Sequence, residues 1–263
     1  MEGSKDRSMK WNILKNEILL ILILLLPLTG MAQDVEGFKK RVYDSYAGGN
    51  MTQWRSALNE MEEIYEKTGD KRLLHELLLA QYGYIGFCIK EERKKEASYH
   101  LDRAKANLEK LQAIYPGKAE YLAFEGALLG YEMGIHKIKA MILGPKAKEK
   151  IDAAVETDPG SVRTMLEKAN QLNFSPKIVG GDKEKAIEYY RRVIDKIESD
   201  PGLYKENWIY VNTLIVLARV YEEMDNDIYA CAIYEKIMDY DPGIKWVKND
   251  LYAGCENRSD RTR

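Results

Sequence analysis

Apolar residues recur along most of the chain at steps of three and four, the period of a helix with one buried face. Leu214, Leu217, Ala218 and Tyr221 share one such face, and Ala230, Tyr234 and Ile237 share a second, with Asp225-Asn226-Asp227 breaking the pattern between them. The same small–large order, at steps of four and three, runs through Ala57, Met61, Ile64 and through Ala104, Leu108, Leu111. It returns in Ala147, Ile151, Ala154 and in Ala186, Tyr190, Val193. Pro116-Gly117, Pro159-Gly160, Pro201-Gly202 and Pro242-Gly243 punctuate these segments at spacings of 43, 42 and 41 residues. Asp158, Asp200 and Asp241 precede three of them. Proline disfavours helix at the residue before it and glycine permits a positive φ, so each Pro-Gly predicts a helix end. Gly69 takes the proline's place in the first unit, and Pro201 falls three residues late, about one helical turn. The pattern predicts five antiparallel helix pairs over 36–68, 72–115, 119–158, 161–200 and 207–241. A short closing helix from Ile244 to Tyr252 should cover the outer face of the last pair, and 256–263 reads as a frayed polar tail.

Two connections within pairs are long. One, from Met133 to Lys146, carries Ile135, Ile138, Met141, Ile142 and Leu143 and ends in a Gly144-Pro145 turn. The other, from Phe174 to Gly181, carries Phe174, Ile178 and Val179 and ends in Gly180-Gly181, with Asp182 placed to cap the next helix. Apolar residues in long connections either fold back or line a binding surface, and folding back is expected here. Gly126, Gly130 and Gly134, with Ala123 and Ala127, make a small-residue stripe that suits close approach of a neighbouring helix.

The run from Leu214 to Pro242 resembles the tetratricopeptide repeat in its order of large, small and proline positions, with Ile237 standing where that motif has a small residue. The other units match in their second helix, so the resemblance spans roughly Glu36 to Tyr252. It implies an all-α, right-handed superhelical array of about five helix pairs over residues 33–255. It also implies a non-catalytic scaffold that binds a protein or peptide in a concave groove lined by the first helix of each pair. By register that wall would include Gln81, Tyr84, Tyr131, Asn170, Phe174, Asn212, Arg219 and Glu222. The two inserts and the Gly180-Gly181-Asp182 helix start are also similar to the periplasmic T-component of TRAP transporters, which implies an alternative: a small-molecule-binding accessory protein.

Composition narrows the chemistry. Forty basic and 42 acidic residues leave a net charge of −2, against the basic surface that nucleic acid demands. No phosphate-loop, dinucleotide or H-E-x-x-H motif occurs, and His75, His100 and His136 fall in different units. No enzyme, cofactor or metal is therefore expected. Cys88, between Phe87 and Ile89 on a helix, reads as a buried thiol. Cys231 and Cys255 could bridge if the closing helix folds back, but three free thiols are the default expectation.

The first 32 residues read as an export leader. Lys10 and Lys15 precede an apolar run from Ile18 to Leu26, followed by Pro27, Gly30 and Ala32. The uncharged stretch from Ile18 to Ala32 has 15 residues, too few to span a bilayer. The polar residues before Met9 leave either Met1 or Met9 as the start. The protein is accordingly expected in the periplasm or secreted, with no membrane span after cleavage. Mass spectrometry of the mature protein should find Gln33 at the N-terminus; an abundant form beginning at Met1 or Met9 would contradict the reading.

Overall fold

A computed structural model describes residues 35–259; residues 1–34, where the leader is expected, and 260–263 lie outside the described residues. Every regular element in it is helical. The first pair joins α1 (residues 35–47) to α2 (Met51–Thr68), and the second joins α3 (Lys71–Lys90) to α4 (Lys94–Ile114). The third is α5 (Ala119–Ile135) with α6 (Ala140–Thr157), and the fourth is α7 (Val162–Phe174) with α8 (Lys183–Glu198). A single turn, α9 (Pro201–Tyr204), leads to the fifth pair, α10 (Trp208–Glu222) and α11 (Asp227–Tyr240). A closing helix follows over 245–259, π-helical across Val247–Tyr252 and ending in α12 (Ala253–Ser259).

The punctuation works by two mechanisms. At Asp158, Asp200 and Asp241 the carboxylate accepts the amide of the glycine two residues on, at 3.1, 2.9 and 2.8 Å. A Cβ on Gly243 would lie 2.9 Å from that carboxylate, so glycine is needed there for closeness rather than for a left-handed backbone. Of the four Pro-Gly glycines only Gly117, which has no preceding aspartate, takes a positive φ, of 73°. Helix starts are capped by Asn50, Asp70, Asp182 and Asn207, whose side chains accept first-turn amides.

Several expectations need correction. Gly144-Pro145 does not end a loop: both lie inside α6, where Pro145 faces solvent and forgoes one helical hydrogen bond. Of the glycine stripe, Gly126 alone is forced by packing, since a Cβ there would sit 2.5 Å from Ile151; Gly130 meets nothing within 4 Å. The three-thiol default fails, because Cys231 and Cys255 form a disulfide across a Cα separation of 5.6 Å. Helix continues through Ser259 rather than fraying, and Arg258 pairs with Asp227 at 2.9 Å and with Glu222.

The array closes on itself. The closing helix buries Ile244, Val247 and Cys255, and its Trp246 Nε1 donates to the Tyr46 and Ala47 carbonyls at the end of α1, at 3.3 and 3.1 Å. Tyr43 donates to Asp241 at 2.5 Å and Tyr46 to Asn212 at 3.1 Å. Tyr46 meets Trp54, Trp208 and Trp246 with centroids 5.9, 6.0 and 5.9 Å away, and Trp54 meets Trp208 at 5.2 Å. A Cβ on Gly83 would lie 2.7 Å from Trp208 and 2.8 Å from Trp54, so α3 admits both indoles only because that residue is glycine. Edge-on aromatic pairs add about 0.5–1.5 kcal/mol each beyond area burial.

A buried polar cluster joins the first helices of pairs two to four. Arg163 on α7 pairs with Glu167 at 2.8 Å and lies over the rings of Tyr82 and Phe124 at 4.8 and 4.4 Å. Asn170 donates to Tyr82 and Glu167 at 3.2 and 3.1 Å and accepts from Tyr190 at 2.8 Å. At the starts of α3 and α5, His75 lies 3.5 Å from Glu120, which pairs with Lys118 at 2.8 Å. Burial pushes Glu76, on the same stretch of α3, from 4.5 to about 7, partly opposed by Lys39. A carboxyl raised in this way contributes its full stability below its unfolded pKa and loses it as pH climbs through the folded one. Glu76→Gln should therefore stabilise the protein by about 2 kcal/mol near pH 8 and leave it nearly unchanged near pH 4. Urea melts at the two pH values would show it; an equal effect at both would contradict the burial argument.

Candidate functional site

The closed arrangement decides which predicted wall residues can meet a partner. Gln81 and Tyr84 are buried against α4: Gln81 accepts from Asn107 at 3.1 Å, and Tyr84 donates to Glu96 at 2.8 Å. Tyr131 stacks on Tyr82 with centroids 5.1 Å apart, and Asn170 belongs to the Arg163–Glu167 cluster. Asn212 accepts the Tyr46 hydroxyl. Arg219 and Glu222 are half-buried, Glu222 tied to Arg258. Five of the eight predicted residues thus pair within the protein, Gln81 and Tyr84 buried and Tyr131, Asn170 and Asn212 half-buried. Phe174 stands apart from them, 71% exposed at the end of α7.

Phe174 marks a different surface. Because consecutive helices alternate in direction, the connections α5–α6, α7–α8 and α10–α11 lie on one edge of the array, and the Pro-Gly turns lie on the other. Among the described residues, nine of the thirteen exposed large apolar side chains sit at those three connections. They are Ile138, Met141 and Ile142, then Phe174, Ile178 and Val179, then Met224, Ile228 and Tyr229. The expectation that the inserts fold back holds for Ile135, which is buried, and fails at the tips: Ile138 and Ile178 are each 92% exposed and Met141 is 90% exposed. Single-turn 3₁₀ helices over Lys137–Lys139 and Lys177–Val179 hold the tips outward. Exposed apolar side chains gathered on one edge make that edge the candidate site. The sequence signal for the α10–α11 contribution is that Met224, Ile228 and Tyr229 fall off the buried face of the last repeat.

Other groups offer little chemistry. Burial pushes the Cys88 thiol up to about 12, so it stays protonated and unreactive. His100 is buried edge-on to Tyr84, 4.9 Å between centroids, and burial lowers its pKa. Glu222, Asp227 and Cys255 converge closely enough to surround an ion, yet the Cys255 sulfur is in the disulfide and Arg258 occupies both carboxylates. A cleft of about 240 Å³ between α2 and α4 is lined by Glu62, Tyr65, Arg103 and Lys110. Its charges are internally matched: Arg103 pairs with Glu62 at 2.5 Å, and Lys110 lies over the Tyr65 ring at 5.0 Å.

No family model and no curated protein matches the sequence. Solved structures do share the fold. The HusA haemophore from Porphyromonas gingivalis superposes with a TM-score of 0.54 at 16% identity, covering 70% of this chain and 92% of that one. A thermophilic tetratricopeptide repeat protein from Thermus thermophilus superposes with a TM-score of 0.53 at 16% identity, covering 84% of this chain and 98% of that one. The chain thus has an all-α helical-repeat fold like that of tetratricopeptide proteins.

Proposed function

We propose that this chain is a non-catalytic, exported scaffold that docks a partner on the edge carrying its two inserts, rather than threading a peptide through a concave groove. The observation that carries the reading is the concentration of exposed apolar side chains at three successive connections of one edge. Leaving Ile138 and Ile178 in water forgoes hydrophobic burial, roughly 1.5–3 kcal/mol for each such side chain. The inner wall supports the same reading, since its aromatic and polar side chains are already paired with one another. The leader and the Cys231–Cys255 bridge both suit an oxidising compartment outside the cytoplasm.

A second reading is a carrier of a small amphipathic ligand. It is supported by the likeness to the HusA haemophore and by apolar side chains standing beside lysines on the inserts. Haem titration followed by its absorption band separates it from the first.

Photo-crosslinkers placed at Ile138 and at Ile178 should give adducts in intact envelopes, and one at Tyr99, exposed on α4, should give none. Adducts from Asn212 or Arg219 instead of the edge positions would restore the groove and sink the proposal.

A further inference from the structure

The charge of the inserts runs against that of the chain. The insert of residues 133–146 contains three lysines and no acid, and that of 174–181 contains a fourth lysine and no acid, in a protein whose net charge is −2. Lys139 pairs with Glu132 at 2.6 Å, and Lys148 is tied to Asp152. Lys137, Lys146 and Lys177 have no acidic partner among the described residues, and all three are exposed. Each stands within a few positions of the most exposed apolar tips, as Lys137-Ile138 and Lys177-Ile178-Val179. The tips are fixed by backbone: Lys139 donates to the His136 carbonyl at 2.9 Å, and Val179 and Gly181 donate to the Pro176 carbonyl at 3.0 and 3.1 Å. Their exposure is therefore built into the turns.

We infer that the two inserts form a peripheral membrane-docking surface for an anionic phospholipid bilayer; this rests on the edge reading above. The surface is made of protruding aliphatic side chains, Ile138, Met141, Ile142, Ile178 and Val179, with lysines between them. Protein interfaces favour arginine and are depleted in lysine, whereas this patch holds exposed lysines and no arginine. Lysine beside exposed aliphatic side chains suits an anionic bilayer. Aliphatic tips enter the boundary between headgroups and acyl chains, and lysines extend beside them to lipid phosphates. No described helix is long and apolar enough to cross a membrane, so the attachment is to the surface. The α10–α11 turn borders the patch: Glu223 there is tied to Lys183, and Asp225 brings an acid that favours contact through the third and fourth pairs.

Flotation of the purified full chain with vesicles tests the inference. It should float with phosphatidylglycerol–phosphatidylethanolamine vesicles and stay at the bottom with phosphatidylcholine alone. Lys137→Glu with Lys177→Glu should weaken binding to the anionic vesicles roughly thirty-fold or more, as loss of two surface lysines implies. Lys137→Arg with Lys177→Arg should retain it. Ile138→Asp with Ile178→Asp should abolish it while leaving circular dichroism and Tm unchanged, because these side chains touch solvent. No flotation with anionic vesicles, or flotation that both double variants leave intact, would overturn the inference. Crosslinking from Ile138 and Ile178 to protein alone, with no flotation, would reject the lipid and keep the edge; no edge adducts at all would reject the edge reading itself.

Discussion

Tyr46, Trp54, Trp208 and Trp246 meet where the first helix of the chain reaches the last, and the shape of the molecule depends on that contact. A helical array normally gains its stability from neighbours along the sequence, leaving its ends apart. Here α1 receives hydrogen bonds from Trp246 and lies against Trp208, so the first and fifth pairs become neighbours too. The contact is possible because Gly83 leaves room on α3 for two indoles. The disulfide and the Arg258 pairs fasten the closing helix to the fifth pair, which holds Trp246 in place.

Closure consumes the inward surface. Tyr82, Tyr131, Asn170 and Arg163, residues that could have lined an open groove, bond and stack with one another, and Asn212 accepts the Tyr46 hydroxyl. What is left for recognition lies at the ends of the helices. On the Pro-Gly edge three of the turns are internally bonded by their aspartates, whereas on the opposite edge the α5–α6 and α7–α8 connections are tipped with exposed aliphatic side chains. One constraint, the inward packing of the first helices, thus accounts for both the paired inner side chains and the exposed apolar edge.

The helix pairs are legible in the sequence because helix period and Pro-Gly spacing are local signals. The five pairs, the extra turn before Pro201, the break at Asp225 and the cap at Asp182 all follow from a few residues of context. Closure is not legible. Trp54 and Trp208 occupy ordinary apolar positions on their helices, and nothing in their spacing says that they meet. For the same reason register alone places Gln81 and Tyr84 on an open wall, whereas α4 covers them. The inserts mislead for a different reason: hydrophobicity alone cannot distinguish a loop that folds back from one held out by 3₁₀ turns. Their acid-free lysine content is readable in one dimension and carries the better clue. The disulfide needs the geometry of a closing helix that one-dimensional spacing does not supply.

Hydrogen exchange on Trp208→Ala tests closure most directly. If the ring of pairs is closed as described, removing the indole should reduce amide protection in α10 and, together with it, in α1 and the closing helix, although α1 is remote in sequence. Loss confined to α10 and its sequence neighbours α8 and α11, with α1 as protected as before, would show an open array and contradict the account.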